Sequence, residues 1–393
     1  MDFDNINFEE KQEIGFIPNN KNYNHDKLIS GSFGNIYVHT KIEDENEKTI
    51  QSNNDYETII EKRFLQTRND FILNQGIIFI SFIKEVFIQK ILNKYFEDKI
   101  TTDLLGYNLH YEFIDNVSMN EKLSIYNNYI ENDMRDLSGS DLMKENIVVI
   151  IKKLLKILSK IHSIGIVHLD IKPGNFLIND ETLDLHIIDF GVSRIQNTTF
   201  NCKINCSQKL YTQPYRSFKN INYIQKFKCV PVCNHNIDLR KEDIFALGPM
   251  IYELFKGVDE YFIDIDDDKN ERKRHHKYFK EGKFMKKYRK FVNKLSEYVI
   301  ETKQIKEDEL DEFRKLMFMF VCDIPGNNIK YDEKVMSKYG YDLVELDIYN
   351  DEELEFIRLL QYDDLRKKHF TKIYENTKIY NYDLLKHFIK LCS

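Results

Sequence analysis

Apolar residues recur along this chain with two different spacings, and the spacing changes after the first third. Leu28–His39 and Glu57–Leu65 carry the short apolar runs that are typical of strands, and the polar run between them predicts a hairpin loop. Phe79–Phe96 instead places its apolar residues along one face of a helix. After Tyr129 the spacing is mostly helical. The pattern therefore predicts a strand-rich first part and a helical remainder.

The clearest helix is predicted where apolar residues recur every three or four positions, from Ile147 to Ile161. Two short strands follow it, Phe176–Asn179 and Leu185–Asp189, with a turn at Asp180–Glu181 between them. Residues 1–24 are polar and predict a short N-terminal extension, and the sequence contains no internal repeat.

The composition is that of a globular protein. Of the 393 residues, 42% are hydrophobic and 31% are charged, which suits one large domain or two ordinary ones. The net charge of −7 argues against a nucleic-acid partner and against an anionic membrane surface. The most apolar window, Phe71–Ile88, is interrupted by polar residues and predicts a buried helix. The acidic N-terminus lacks the pattern of a secretory signal, so we expect an intracellular protein, in the cytoplasm.

The strongest chemical signal is VHLDIKPGNFLI (Val167–Ile178), followed shortly by IIDFG (Ile187–Gly191). These two stretches bring Asp170, Lys172, Asn175 and Asp189 onto two short loops. Phosphoryl transfer uses such a set, in which one carboxylate orients the attacking hydroxyl and another binds the metal. An amide completes the metal shell, and a lysine stabilises the transferring group.

These motifs, in this order, resemble the catalytic loop H-R-D-x-K-x-x-N and the metal loop D-F-G of eukaryotic-type serine/threonine protein kinases. The resemblance covers residues 23–390. It implies an α+β, two-lobed fold, with a small β-rich N-lobe at about 25–128 and a larger α-helical C-lobe at about 129–393. It also implies ATP with Mg²⁺ or Mn²⁺ and a protein substrate. Asp170 then acts as the base, and Asn175 and Asp189 are the metal ligands.

A glycine-rich hairpin, Leu28–Tyr37, resembles the loop that covers the nucleotide phosphates in this family. Gly31 and Gly34 match two of its three glycines, and Ile29 stands in place of the first. Taken alone, the hairpin could be an ordinary turn. The resemblance implies nucleotide contacts from Ile29, Ser30, Gly31, Ser32, Phe33, Gly34 and Ile36.

The family's phosphate-binding lysine and its helix glutamate match Lys62 and Glu85. Lys48 matches less well, because it lies in a polar, loop-like run. The alternative for both charges is a solvated surface position. The resemblance implies further that Ile60 replaces a small residue of the adenine pocket and that Asn127 is the gatekeeper. It also implies that Asn128–Ile130 are the hinge, with Asn128 and Ile130 as adenine contacts.

The chain also departs from the family pattern. Leu169 replaces the arginine that grips a phosphorylated activation loop, so we expect activity that needs no such phosphorylation. Ser217–Lys219 replace Ala-Pro-Glu, which leaves Arg366 without its expected partner. Thr212 matches the threonine that bridges the catalytic aspartate and lysine. Asp243 matches the aspartate that holds the backbone of the catalytic loop.

Two further features have ordinary alternatives. Four cysteines fall in one interval and could bind a structural zinc, although such residues are more often small buried apolar groups: Cys202, Cys206, Cys229 and Cys233. The basic run from Lys269 to Lys290 favours a solvated helix face over docking of an acidic partner or a nuclear-import signal.

Three functions are compatible with these residues. An active ATP-dependent protein kinase keeps every group that the chemistry needs. A pseudokinase, acting as a nucleotide-binding or scaffolding module, would explain the missing first glycine, Leu169 and the altered Ser217–Lys219 segment. A small-molecule kinase of related fold fits least, because such enzymes usually lack both K-P-x-N and D-F-G. The sequence indicates no oligomeric state.

Overall fold

The structure is a computed structural model, and it describes residues 8–15, 23–30, 34–42, 57–64, 77–113, 119–130, 132–195, 215, 238–257, 282–324, 326–366, 387–388 and 390–391. The chain forms two compact units. The first, here called the sheet unit, comprises Met1–Ile130, Asp189–Gly191 and Tyr374–Ser393. The second, called the helical unit, comprises Glu131–Ile188 and Val192–Ile373.

Six antiparallel strands form the sheet of the first unit: β1 (Phe8–Gly15), β2 (Tyr23–Ser30), β3 (Gly34–Lys41), β4 (Thr58–Phe64), β5 (Leu104–Phe113) and β6 (Met119–Asn128). Their order across the sheet is β1-β5-β6-β4-β3-β2. The predicted strand Leu28–His39 is in fact the end of β2 and most of β3. The predicted hairpin is present, because β3 and β4 pair along their length.

The edge strand β1 lies within the segment that the sequence predicts as a polar extension. It pairs with β5 over its whole length, from Phe8 opposite Phe113 to Gly15 opposite Gly106. The charged run FEEKQEIG has little strand propensity of its own. Edge strands commonly carry charge, and their hydrogen bonds come from the neighbouring strand, which here is distant in sequence.

Helix α1 (Ile77–Tyr95) packs on one face of this sheet through aromatic contacts. The fully buried Phe82 lies edge-on to Phe64 and Tyr107, with ring centroids 5.5 Å and 6.2 Å away. Phe388 packs against Phe82 and Tyr107 at 6.3 Å and 5.7 Å. The helix predicted at Phe79–Phe96 is therefore confirmed, beginning two residues earlier and ending one residue earlier. Burial of each ring contributes about 2–3 kcal/mol and fixes the helix on the sheet.

The described part of the helical unit contains seven α-helices: α2 (Asp141–Glu145), α3 (Ile147–Ser163), α4 (Arg240–Lys256), α5 (Lys283–Glu301), α6 (Leu310–Phe320), α7 (Glu333–Lys338) and α8 (Asp351–Arg366). Its short strands are β7 (Asn132–Asp133), β8 (Ile166–Val167), β9 (Phe176–Ile178), β10 (Leu185–Ile187) and β11 (Arg194–Ile195). Strands β10, β9 and β7 form one antiparallel sheet in that order, and β11 pairs with β8.

Helix α3 is the core helix of this unit, and the prediction for Ile147–Ile161 is confirmed. Its apolar residues are buried along one face, and Gly165, with a φ of 74°, turns the chain out of the helix. The chain then passes through β8 to His168. Strands β9 and β10 lie where the sequence predicts them, but each ends earlier than expected, β9 by one residue and β10 by two.

The predicted basic run reaches into α5, and only its last part is described. There Lys283, Lys286, Arg289 and Lys290 are exposed, while Tyr288 is buried. The described part of the basic run therefore forms a solvated helix face, as the sequence predicts. Across the described residues, none of the helices has the length and apolar character needed to cross a membrane.

Candidate active site

In the sheet unit, a largely buried lysine is held between two carboxylates. Lys62 on β4 places its Nζ 2.7 Å from Glu85 Oε2 on α1 and 2.8 Å from Asp189 Oδ1. The side chains of Lys62 and Glu85 are 13% and 3% exposed, whereas that of Asp189 is 32% exposed. The structure thus brings together the lysine, the helix glutamate and the metal-loop aspartate that the sequence singled out.

The charges of this cluster depend on one another. Burial lowers the pKa of Lys62, but the neighbouring Asp189 and Glu85 outweigh it, so the pKa lies above its ordinary value and the side chain is a cation. Burial raises the pKa of Glu85 to about 7, an effect that Lys62 opposes and Asp189 reinforces. Lys62 therefore presents a fixed positive charge beside the partly exposed carboxylate of Asp189, as a phosphate-binding cation requires.

Strand register places several candidate residues on one face of the sheet, because paired residues in neighbouring strands share a face. Ile36 lies opposite Lys62, and Ile60 lies opposite Asn127. Ile29 pairs with Ile36 through the backbone of β2. The buried Oδ1 of Asn127 has no hydrogen-bond partner within the described structure. This atom is thus a buried acceptor that the described residues leave unsatisfied.

Gly34 is the member of the glycine-rich hairpin whose small size the structure explains. A Cβ at this position would lie 2.2 Å from the backbone oxygen of Arg63 on the paired strand. Only glycine allows β3 and β4 to approach this closely. Ser30 is described through its backbone alone, as the last residue of β2, while Gly31, Ser32 and Phe33 lie outside the described residues.

At the end of β6, Asn128 exchanges hydrogen bonds with Asp103. Its Oδ1 accepts from the Asp103 N–H at 2.7 Å, and its own N–H donates to the Asp103 carbonyl at 3.3 Å. These bonds fix the chain just before Ile130, which is half-buried. The adenine contacts of Asn128 and Ile130 stay a prediction.

In the helical unit, the catalytic loop gathers two side chains around the carboxylate of Asp170. Lys172 Nζ donates to Asp170 Oδ2 at 2.6 Å. Asn175 Nδ2 donates to the Asp170 carbonyl at 2.7 Å and to its Oδ2 at 3.1 Å. Because its nitrogen is directed at Asp170, Asn175 keeps its amide oxygen as the atom suited to a metal. Asp170 is in turn held next to a cation.

The backbone of this loop is held by Asp243 at the start of α4. Its fully buried carboxylate accepts from the N–H of His168 at 2.7 Å and from the N–H of Leu169 at 2.8 Å. The predicted role of Asp243 is therefore confirmed. Leu169 has a φ of 65°, a left-handed conformation that costs a non-glycine residue about 1–3 kcal/mol. The two hydrogen bonds offset that strain.

His168 aligns the residue that follows Leu169. Its Nδ1 accepts from the N–H of Asp170 at 3.2 Å, so the proton is on Nε2, which donates to the carbonyl of Ile188 at 2.9 Å. The Ser193 hydroxyl donates to the His168 carbonyl at 3.1 Å. Through these bonds the loop takes one defined conformation within the helical unit.

Sequence reasoning missed two buried polar contacts in the helical unit. His162, in the last turn of α3, bonds to Asp243 through Nε2 at 3.0 Å. The Tyr215 hydroxyl donates to the buried carboxylate of Glu253 on α4. In the sequence, His162 is recognisable only as a polar residue at the end of an apolar helix, and this position does not indicate which residue it contacts.

Asp189 in the sheet unit carries a carboxylate and Asn175 in the helical unit carries an amide, and both offer the oxygen ligands that Mg²⁺ and Mn²⁺ prefer. Their role as metal ligands stays a prediction. The four cysteines of the zinc hypothesis, together with Thr212 and Ser217–Lys219, lie outside the described residues, and so does the side chain of Arg366. Among the residues that are described, no group of three or more His, Cys, Asp or Glu could hold a metal ion.

Comparison of the sequence with protein families identifies the class of this chain. Residues 84–325, more than half of the chain, match the model of the protein kinase domain. The chain belongs to the protein kinase family. The α+β, two-lobed kinase fold expected from the sequence is therefore confirmed, with the sheet unit as the β-rich lobe and the helical unit as the larger α-helical lobe.

The kinase domain is also similar to mitogen-activated protein kinases and one of their kinases. It is 32% identical over 190 residues to mitogen-activated protein kinase mpkC of Emericella nidulans, covering 48% of this chain and 33% of that one. It is 38% identical over 134 residues to human mitogen-activated protein kinase 4, which covers 34% of this chain and 21% of that one. It is 36% identical over 106 residues to Arabidopsis thaliana mitogen-activated protein kinase kinase 7, which covers 27% of this chain and 31% of that one. The chain thus spans a fifth to a third of the length of these relatives.

Proposed function

We propose that this chain is an intracellular, ATP- and Mg²⁺-dependent serine/threonine protein kinase. The observation that carries the proposal is the ion-pair cluster of Lys62 with Glu85 and Asp189, at 2.7 Å and 2.8 Å. A buried lysine with two carboxylates is costly to maintain, and phosphate binding gives a reason to keep it. Membership of the protein kinase family supports the same reaction class.

Asp170 would orient the substrate hydroxyl and accept its proton during transfer. Its Oδ2 is already an acceptor for Lys172 at 2.6 Å and for Asn175 at 3.1 Å, which fixes the carboxylate in one orientation. Lys172 would then offset the negative charge that develops on the transferring phosphoryl group. These roles need no movement of the loop, because its backbone is held by Asp243.

Lys62 would bind the phosphates of ATP with the charge that Glu85 keeps in place. Asp189 and Asn175 would hold Mg²⁺, which when bound neutralises phosphate oxygens. Gly34 and the hairpin before it would cover the phosphates, and Ile36 and Ile60 would line the adenine side. Lys172, two residues after Asp170, matches the serine/threonine class and not the tyrosine class.

The proposal is tested by incorporation of radiolabelled phosphate from ATP into generic basic and acidic protein substrates. Asp170→Asn should lower the rate about 100-fold or more, as loss of a general base does. Asp180→Asn, at an exposed aspartate on the turn after β9, is the matched control and should keep the wild-type rate. Incorporation that is unaffected by Asp170→Asn would indicate a contaminating kinase and contradict the proposal.

The change in melting temperature on adding nucleotide, measured beside phosphate transfer, distinguishes an active kinase from a pseudokinase. An active kinase should show both phosphate transfer and a nucleotide shift that requires Mg²⁺ and is lost in Lys62→Ala. A shift without any transfer would favour a nucleotide-binding pseudokinase, for which the altered residues Leu169 and Ser217–Lys219 are the motivation.

A further inference from the structure

A chain of buried hydrogen bonds runs from a tyrosine near the end of the helical unit to the backbone of the catalytic loop. The Tyr341 hydroxyl lies 2.8 Å from His162 Nδ1, and His162 Nε2 lies 3.0 Å from Asp243 Oδ2. The same Oδ2 accepts from the N–H of His168 at 2.7 Å, while Oδ1 accepts from the N–H of Leu169 at 2.8 Å. Tyr341 thus connects to the residue before Asp170 through two side chains.

The direction of each bond follows from chemistry. A carboxylate only accepts, so His162 Nε2 carries the proton that meets Asp243. The Tyr341 hydroxyl donates to Nδ1, which carries the lone pair in this tautomer. Burial raises the pKa of Tyr341, so its hydroxyl remains a donor. Tyr341 therefore selects the one tautomer of His162 that can bond to Asp243.

Tyr341 is itself held against the end of α3. The Ser159 hydroxyl donates to the Asp342 carbonyl at 2.6 Å, and the N–H of Leu346 donates to the Ser163 carbonyl at 2.7 Å. The Tyr349 hydroxyl donates to the Ile164 carbonyl at 2.7 Å. Hydrogen bonds at Asp342, Leu346 and Tyr349 therefore hold the segment from Tyr341 to Tyr349 against the C-terminal end of α3.

We propose that Tyr341 is a positioning residue for the catalytic loop, acting through His162 and Asp243 to hold the backbone of His168 and of the left-handed Leu169. The loop needs such support because Leu169 is strained at a φ of 65°. A loosened Asp243 would allow the turn to relax and would move Asp170. The kinetic consequence rests on the proposed kinase function, whereas the structural consequence does not.

Hydrogen exchange of backbone amides, read by mass spectrometry, tests the structural part directly. Tyr341→Phe removes one hydroxyl and should speed exchange about tenfold in the peptide that contains His168 and Leu169. Two other buried or half-buried tyrosine hydroxyls serve as matched controls. Tyr349→Phe removes a bond to the same end of α3, and Tyr288→Phe removes a bond to the Met317 carbonyl at 2.8 Å. Neither control should change exchange in that peptide.

Kinetics test the functional part. With an active protein, Tyr341→Phe should lower kcat about tenfold and change KM for ATP less than about twofold, since the hydrogen bond that the change removes goes to His162. In a His162→Gln background the same substitution should have no further effect, because the path to Asp243 is already broken.

Unchanged exchange at His168 and Leu169 would overturn the proposal. Equal acceleration in peptides from α5 and α6 would overturn it too, because the hydroxyl would then contribute only to global stability. If the wild-type chain transfers no phosphate, the proposed function fails, yet local acceleration at the loop would still support the positioning role. Additive loss of kcat in the His162→Gln background would show that Tyr341 acts by another route and would contradict the inference.

Discussion

Glu61 on β4 gives the sheet unit a stability that depends on pH. Its carboxylate is 2% exposed and lies on the face of the sheet opposite to Lys62. It accepts from Ser124 Oγ at 2.6 Å, from Arg63 Nη2 at 2.8 Å and from His39 Nε2 at 3.0 Å. Protonation of this carboxylate would remove the negative charge for which these donors are arranged.

The magnitude follows from the pKa. Burial alone would raise the pKa of Glu61, but hydrogen bonds from His39, Arg63 and Ser124 lower it from 4.5 to about 2. That difference corresponds to about 3 kcal/mol of stability. Since the folded pKa is below the unfolded one, the stability is fully present above pH 4.5 and is lost as the pH falls through about 2. Between pH 6 and pH 3 the loss should be about 2 kcal/mol.

Urea unfolding at a series of pH values measures this effect. The chain contains no tryptophan, so far-UV circular dichroism is the appropriate signal. Glu61→Gln keeps the shape of the side chain and removes its titration. The difference in unfolding free energy between the wild type and this variant should shrink by about 2 kcal/mol from pH 6 to pH 3.

The control is Glu57→Gln, which alters an exposed glutamate just before the same strand. Its difference from the wild type should stay constant over this pH range. A constant difference for Glu61→Gln as well would refute the reasoning, because it would show that the buried carboxylate does not carry the acid dependence.

Two substitutions test the packing that positions the nucleotide side. Gly34→Ala should destabilise the protein by about 1–3 kcal/mol in thermal unfolding, because the new Cβ would lie 2.2 Å from the Arg63 carbonyl oxygen. The control is Gly174→Ala, whose Cβ would meet only a side-chain carbon at 3.9 Å, and it should change stability little. Phe388→Ala should lower the unfolding free energy by about 3–5 kcal/mol, since the ring is fully buried against Phe82, and a loss below about 1 kcal/mol would contradict that packing.

Elements with strong local patterns could be predicted from the sequence. Helix α3 follows from apolar residues at intervals of three and four, and its buried face is the predicted one. The residues of the catalytic loop were identified from their motif, and the structure gathers Asp170, Lys172 and Asn175 within hydrogen-bond distance. Their roles in catalysis remain predictions.

Elements that depend on distant partners could not be predicted. The edge strand β1 exists because it pairs with β5, whose residues lie nearly 100 positions later. The contact between His162 and Tyr341 joins residues 179 positions apart. Neither residue carries a motif, and a single sequence gives no sign that one meets the other. Long-range hydrogen bonds of this kind become visible only in the folded chain.

Leu169 stands where the family motif has an arginine, and this position affects the catalytic loop in two ways. From the sequence, the change removes a group that would grip a phosphate on the activation loop. In the folded chain, Leu169 is fully buried, and its N–H is held by Asp243. The position of the loop is thus secured by an apolar side chain and by hydrogen bonds from within the helical unit. Activity that needs no activating phosphate stays a prediction, and the burial of Leu169 together with its hydrogen bond to Asp243 is the structural support for it.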